Sequence, residues 1–191
     1  MSTGLTEGER EILLRLAREA IASAVRKEKL PPLDLQSLPP TLRENGASFV
    51  TLTLQDDLRG CIGALEAYQP LAEDVREHAI AAALDDPRFP PVSKSELDRI
   101  RIEVSRLTAP QELEYTSGED LLKKLRPHVD GVILKYGPRR ATFLPQVWEK
   151  IPDPAEFLYQ LCYKMGARPS LWQDTKLQVF LYQVEEFHEL N

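Results

Sequence analysis

Val50-Thr51-Leu52-Thr53-Leu54-Gln55-Asp56-Asp57-Leu58-Arg59-Gly60-Cys61-Ile62-Gly63 is the stretch from which the fold of this chain is read. Val50 to Leu54 is apolar and β-branched, Gln55-Asp56-Asp57 are turn formers, and the pattern resumes at Leu58. It therefore reads as a β-hairpin whose second arm carries Leu58-Arg59-Gly60-Cys61-Ile62-Gly63. Side chains alternate along a strand, which places Arg59 and Cys61 on one face and Leu58, Gly60 and Ile62 on the other. Two glycines weaken a plain core strand and mark a bulge or a close backbone approach.

That combination marks the strand as the candidate site. A guanidinium two residues from a thiol on one face would stabilise the thiolate, the setting in which cysteines act as nucleophiles or ligand contacts. The structural reading has equal standing: Cys61 as a small buried hydrophobe, Arg59 paired with a carboxylate, and glycines that only permit tight packing.

Working outward, Thr6 with Glu9 is a capping box, and Ile12, Leu13, Leu16, Ala20 and Val25 recur at helical spacing, predicting a helix over about Glu7 to Lys27. The segment from Pro31 to Pro40 cannot continue it and reads as an extended connection pinned by its leucines. Pro70 opens a helix running to Leu84. Asp86-Pro87-Arg88-Phe89-Pro90-Pro91 is a stiff loop, and Ser93 with Glu96 caps a short helix near Lys94 to Asp98. Ile100, Ile102 and Val104 alternate with polar residues as a half-buried strand. Ser117 and Asp120 start a helix closed by Pro127, and residues 130–144 form a second hairpin turning at Gly137-Pro138. Asp153-Pro154-Ala155-Glu156 starts a helix that Gly166 ends, and Leu177 to Val184 is the last strand.

The two halves repeat one order of elements. Hairpin Val50 to Gly63, helix Leu71 to Leu84 and strand Ile100 to Leu107 correspond to hairpin Val132 to Leu144, helix Ala155 to Met165 and strand Leu177 to Val184, with Arg59 and Arg140 at comparable points. This reads as a duplicated β-β-α-β unit, or as two hairpin-helix combinations of independent origin. The expected fold is α+β: one continuous, largely antiparallel sheet with flanking helices. A single domain over residues 1–191 is expected, with lobes at about 45–110 and 115–187 beside the N-terminal helix and Pro-rich connection.

Composition narrows the class. The 191 residues, 42% hydrophobic and 28% charged, describe an ordinary globular chain. Two cysteines, Cys61 and Cys162, form neither a disulfide framework nor a metal-binding spacing. With an N-terminus lacking a secretory pattern and no apolar run long enough to span a bilayer, the expected location is the cytoplasm, away from membranes. A net charge of -6 argues against nucleic acid as a partner. His78, His128 and His188 lie far apart, so no metal is expected. His78 reads as a base for Cys61 or, with more weight, as a surface or capping residue. Glu73, Asp86 and Arg88 could supply polar groups beside Cys61 or be ion-paired scaffolding, and Trp148 could rim the same cleft or be core. No phosphate loop, dinucleotide fingerprint or nucleophile elbow is present, and no cofactor is expected.

Several stretches, Leu58-Arg59-Gly60-Cys61-Ile62-Gly63, Pro70-Leu71-Ala72-Glu73-Asp74-Val75, Asp86-Pro87-Arg88-Phe89-Pro90-Pro91, Asp130-Gly131-Val132 and Ala141 to Trp148, resemble the AMMECR-type domain, which in prokaryotes includes the AmmeMemoRadiSam system protein A. The chain departs from that pattern at Leu84, where an aromatic is usual. The resemblance implies an α+β fold, a catalytic or ligand-binding site at the Leu58 motif, and a pathway shared with Memo-like and radical SAM proteins. The residues and the resemblance together lead to a cytoplasmic small-molecule-binding protein or enzyme. In that site Cys61 is nucleophile or contact, Arg59 holds a small anionic group, and Gly60, Gly63, Arg88 and Trp148 complete the surroundings. The alternative is a non-catalytic protein-interaction module, with the Memo-like or radical SAM protein as partner.

Overall fold

The computed structural model describes residues 4–190; the first three residues of the N-terminal stretch read above lie outside them. The chain divides into two compact units, residues 1–108 with 185–191, and residues 109–184. The N-terminal helix and the C-terminal strand therefore both belong to the first unit, a different division from the lobes expected at 45–110 and 115–187.

In the first unit, α1 (Glu7–Arg26) starts on the expected capping box, with Thr6 and Glu9 bonded reciprocally. The Pro-rich segment turns briefly at Leu35–Ser37 and at α2 (Pro40–Arg43), and Leu33, Leu35 and Leu38 pack against the core. Strands β1 (Asn45–Leu54) and β2 (Asp57–Gly63) form the predicted hairpin, followed by the short β3 (Gln69–Pro70), α3 (Leu71–Leu84) and β4 (Ile100–Leu107). The sheet order is β2-β1-β4-β9, with β3 paired to β1 and β9 spanning Val184–His188. Helices α1 and α3 pack on each other and on the strands, and Val50, Leu52, Ile102 and Val104 fill the core below them. Two carboxylates at the C-terminal end tie α1 down: Glu185 accepts from the Leu5 amide, and Glu189 from the Arg18 guanidinium, which also donates to the Leu97 and Ile100 carbonyls.

The second unit contains β5 (Gln111–Glu112), α4 (Gly118–Lys124), β6 (Gly131–Tyr136), β7 (Arg139–Phe143), α5 (Pro154–Lys164), α6 (Leu171–Asp174) and β8 (Gln178–Tyr182), with sheet order β5-β8-β6-β7. Asp153 caps α5 and Pro154 occupies its first turn, as predicted. Cys162 is fully buried in this core, where loss of hydration pushes its thiol above the ordinary value.

The fold is α+β with two antiparallel sheets. The single continuous sheet expected from the sequence is corrected by the pairing, because β1 and β6 are each the central strand of a separate sheet. Connectivity repeats all the same: β1-β2-α3-β4 gives the spatial order 2-1-4, and β6-β7-α5-β8 gives 7-6-8. The last predicted strand, Leu177 to Val184, is two strands. Tyr182 ends β8 opposite Gly131, Gln183 turns aside to donate to the buried Asp130 carboxylate, and the chain resumes at Val184 in the other sheet.

Candidate functional site

The motif strand is shaped by one irregularity. Gln55 and Asp56 both adopt positive φ, a two-residue turn, and Leu54 pairs with Asp57 and Thr53 with Leu58. Continued regularly, that pairing would set Leu52 against Arg59 and Val50 against Cys61. Instead the register shifts, so that Leu52 faces Gly60, Thr51 faces Cys61, and Arg59 has no partner across the strand. Arg59 is a β-bulge, and a one-residue slip moves every later side chain to the opposite face. Val50 and Leu52 face the helices and are fully buried. A regular hairpin would therefore have turned Cys61 into the core, whereas the bulge aligns it with half-buried Thr51. The shared face expected for Leu58, Gly60 and Ile62 is corrected for the same reason. Leu58 pairs with Thr53, while Gly60 and Ile62 pair with Leu52 and Val50 on the core side.

Cys61 is half-buried, and its sulfur accepts a hydrogen bond from the Thr51 hydroxyl at 3.2 Å. Its backbone points out of the free edge of β2, where two side chains close it as a neighbouring strand would. Asp86 Oδ2 accepts from the Cys61 amide at 2.9 Å, and Arg88 Nη2 donates to the Cys61 carbonyl at 3.2 Å. Asp86 and Arg88 are joined by paired bonds, Nε to Oδ1 at 2.9 Å and Nη2 to Oδ2 at 2.7 Å. The Arg88 guanidinium, helped by the Cys61 and Arg88 amides, holds the buried Asp86 carboxyl far below the usual carboxylate range against its loss of hydration. Arg88 itself is held above its ordinary value, mainly by its bonds to Asp86.

Arg59 is engaged elsewhere. Its guanidinium donates to Glu96 at 2.7 Å and to the carbonyls of Pro90 and Pro91, and its side chain is only 11% exposed. The Arg59 bond lowers Glu96 to about 2, aided by bonds from Ser93. Arg59 and Asp86 are thus two anchors that hold the Asp86–Pro91 loop along β2. The ion-pairing alternative describes Arg59, whose guanidinium is enclosed by the loop.

Gly60 and Gly63 are required by the protein's own backbone and rings. A Cβ on Gly60 would lie 2.1 Å from the Ala82 carbonyl oxygen of α3, and one on Gly63 would lie 2.4 Å from both the Phe49 ring and the Ser48 carbonyl. Trp148 belongs to the second unit, where it is fully buried, stacks on Phe157 at 3.6 Å and donates its indole N–H to the Asp130 carbonyl. It is core and presents neither ring face nor donor to a ligand. Glu73 pairs with Arg76 at 3.6 Å.

His78 is neither a surface residue nor a partner of Cys61. It is buried, with Nδ1 at 3.1 Å from Asp74 Oδ2, and the Ser48 hydroxyl donates to the same oxygen at 2.6 Å. Asp74 is fully buried on α3 with no arginine or lysine paired to it among the described residues, and His78 lies inward against it. Among the described residues no group of three His, Cys, Asp or Glu is arranged to hold a metal. No helix is long and apolar enough to cross a membrane.

Sequence reasoning missed Thr51, because counting back from the turn aligns it with Gly60 until the bulge is known. Gly60 within the strand was the available hint of that shift.

With this geometry in place, comparison with known proteins is decisive about kinship. The AMMECR1 family model matches residues 14–187. The chain belongs to the AMMECR1 family. A protein of Thermofilum pendens is 40% identical to it over 97% of this chain and 92% of the relative. One of Methanothermobacter thermautotrophicus is 41% identical over 97% and 96%. The crystal structure of the uncharacterised protein PH0010 from Pyrococcus horikoshii is similar, with a TM-score of 0.74 and 36% identity, covering 97% of this chain and 93% of that one. In this AMMECR1-family chain the motif strand and the Asp86–Pro91 loop form one hydrogen-bonded assembly within a single unit.

Proposed function

We propose that the motif strand of this AMMECR1-family protein is a small-molecule or modified-residue site in which Cys61 is the nucleophile or direct contact and Arg88 the polar group offered to the ligand. The observation that carries this reading is the setting of the thiol. The bulge turns Cys61 away from the core, the Thr51 hydroxyl donates to its sulfur, and a guanidinium fixed by Asp86 lies against the same residue. The role first expected of Arg59 passes to Arg88, because Arg88 is 54% exposed and Arg59 is enclosed. The pathway with Memo-like and radical SAM proteins implied by the family resemblance is part of the same proposal.

The test is alkylation of the folded protein across pH, read by peptide mass spectrometry at Cys61 with buried Cys162 as internal control. Cys61 is expected to react at least tenfold faster than Cys162, with Thr51→Val slowing Cys61 alone. A Cys61 that stays unmodified while the protein is folded would sink the reading.

A second reading, a protein-interaction module, is favoured by Leu58, which is 43% exposed at the start of the same strand. Leu58→Asp abolishing capture of a Memo-like or radical SAM partner, with Cys61 inert, would select it.

A further inference from the structure

Resting on the reading of Cys61 as a ligand contact, we infer that the group bound beside it is an uncharged acyl group, such as an amide or ester, whose carbonyl oxygen is held by the outward Nη1 of Arg88. A guanidinium has five N–H donors in one plane. In Arg88 the Nε hydrogen goes to Asp86 Oδ1, and the two on Nη2 go to Asp86 Oδ2 and the Cys61 carbonyl. The two on Nη1 have no acceptor among the described residues, although the rest of the group is pinned and the side chain is 54% exposed. One face of the guanidinium lies 5.5 Å from the Phe89 ring centre, so its in-plane edge is the part left to offer. A donor already immobilised by its other bonds loses little freedom when a ligand arrives.

Charge selects the kind of acceptor. Asp86 carries a full negative charge in direct contact with Arg88, so the pair is close to neutral as seen from outside. An incoming phosphate would meet that carboxylate at short range as well as the guanidinium, and much of its attraction would cancel. A carbonyl oxygen brings no net charge, accepts from an N–H donor, and is repelled far less by Asp86 than a phosphate would be. Since Arg88 Nη2 is bonded to Cys61 itself, an acyl group on Nη1 is brought to the residue whose sulfur takes the Thr51 hydrogen bond. Arg88 is then the residue that sets specificity at the proposed site.

Three thiol reagents separate the possibilities: iodoacetamide, which carries an amide carbonyl; iodoacetate, which carries a carboxylate; and methyl methanethiosulfonate, which transfers a methylthio group and carries no carbonyl. The rate at Cys61 is read for each by peptide mass spectrometry, in the folded protein and in urea. The ratio of iodoacetamide to methanethiosulfonate rates is expected to be about tenfold higher in the folded protein, the worth of one charge-assisted hydrogen bond. In Arg88→Lys, which keeps a cation against Asp86 and loses the free planar edge, the ratio should return to the unfolded value. An unchanged ratio in a reactive folded Cys61, or one untouched by Arg88→Lys, overturns the inference and leaves the reactive thiol standing. Iodoacetate outpacing iodoacetamide would overturn the choice of a neutral group. Silence of folded Cys61 toward all three reagents defeats the underlying site reading instead. Should Arg88→Lys lack a cooperative melt, protection of wild-type Cys61 by acetamide and not by inorganic phosphate supports the inference, and protection by phosphate alone overturns it.

Discussion

Two strands occupy the same place in the two units, and they are built differently. Both β2 and β7 are the outer arm of a hairpin beside a central strand, and Arg59-Gly60-Cys61 corresponds to Arg140-Ala141-Thr142. Gly60 faces Leu52 as Ala141 faces Leu134. The carbonyl at the edge is closed by a cation in both cases, Cys61 by Arg88 and Thr142 by Lys164 at 2.9 Å. In β7, however, pairing is regular from Tyr136–Arg139 to Val132–Phe143, an alanine stands where β2 has glycine, and among the described residues no carboxylate pairs with the closing cation. The bulge, the glycine and the thiol occur in β2, and the Asp86–Arg88 pair closes its edge. Shared features therefore describe what an exposed sheet edge needs in order not to pair with another chain. The features confined to β2 are the ones left for function to explain.

The sharpest way to break this comparison is to exchange the small residues. Gly60→Ala puts a methyl group 2.1 Å from a helix carbonyl that cannot move without shifting α3, and is expected to cost about 3 kcal/mol or more in denaturant unfolding. Ala141→Gly in the regular strand should cost only about 1 kcal/mol, for the added backbone freedom. Equal losses would show that α3 yields, and that Gly60 is not a structural necessity.

Next in size is the strap over β2. Arg59→Met removes the guanidinium that donates to Glu96 and to two prolyl carbonyls and is expected to lower stability by about 2 kcal/mol at neutral pH. Glu96 is depressed from an ordinary 4.5 to about 2, so the folded state binds its proton less readily than the unfolded state. The stabilisation is fully present above pH 4.5 and is lost as pH falls toward 2. Wild-type stability should fall through that window and Arg59→Met should fall less. Parallel acid profiles would mean that other carboxylates govern the acid limb.

A smaller effect than that of the strap is expected in the core of the second unit. Trp148→Phe keeps the stack on Phe157 and loses the bond to the Asp130 carbonyl, for about 1–2 kcal/mol, with the Cys61 alkylation rate unchanged. A change in that rate would reinstate Trp148 as part of the site.

Local patterns carried much of the reading. Thr6 with Glu9, Asp153-Pro154 and the alternation from Ile100 to Val104 act within a few residues, and α1, α5 and β4 begin and face as those patterns require. The glycines of the motif also announced a close approach, and the structure names the atoms approached. Strand pairing was a different matter. Whether two β-β-α-β units merge into one sheet depends on hydrogen bonds between distant segments, and the break at Gln183 depends on a buried Asp130 brought there by folding.

By itself the sequence determined the elements, their order and the strand on which the candidate site lies, because capping, alternation and turn chemistry are local interactions. Only the tertiary structure decided which face Cys61 takes and which arginine stands beside it. Face is set by a one-residue bulge in pairing with β1, and the choice of Arg88 over Arg59 by which guanidinium the Asp86–Pro91 loop encloses and which it leaves half in solvent.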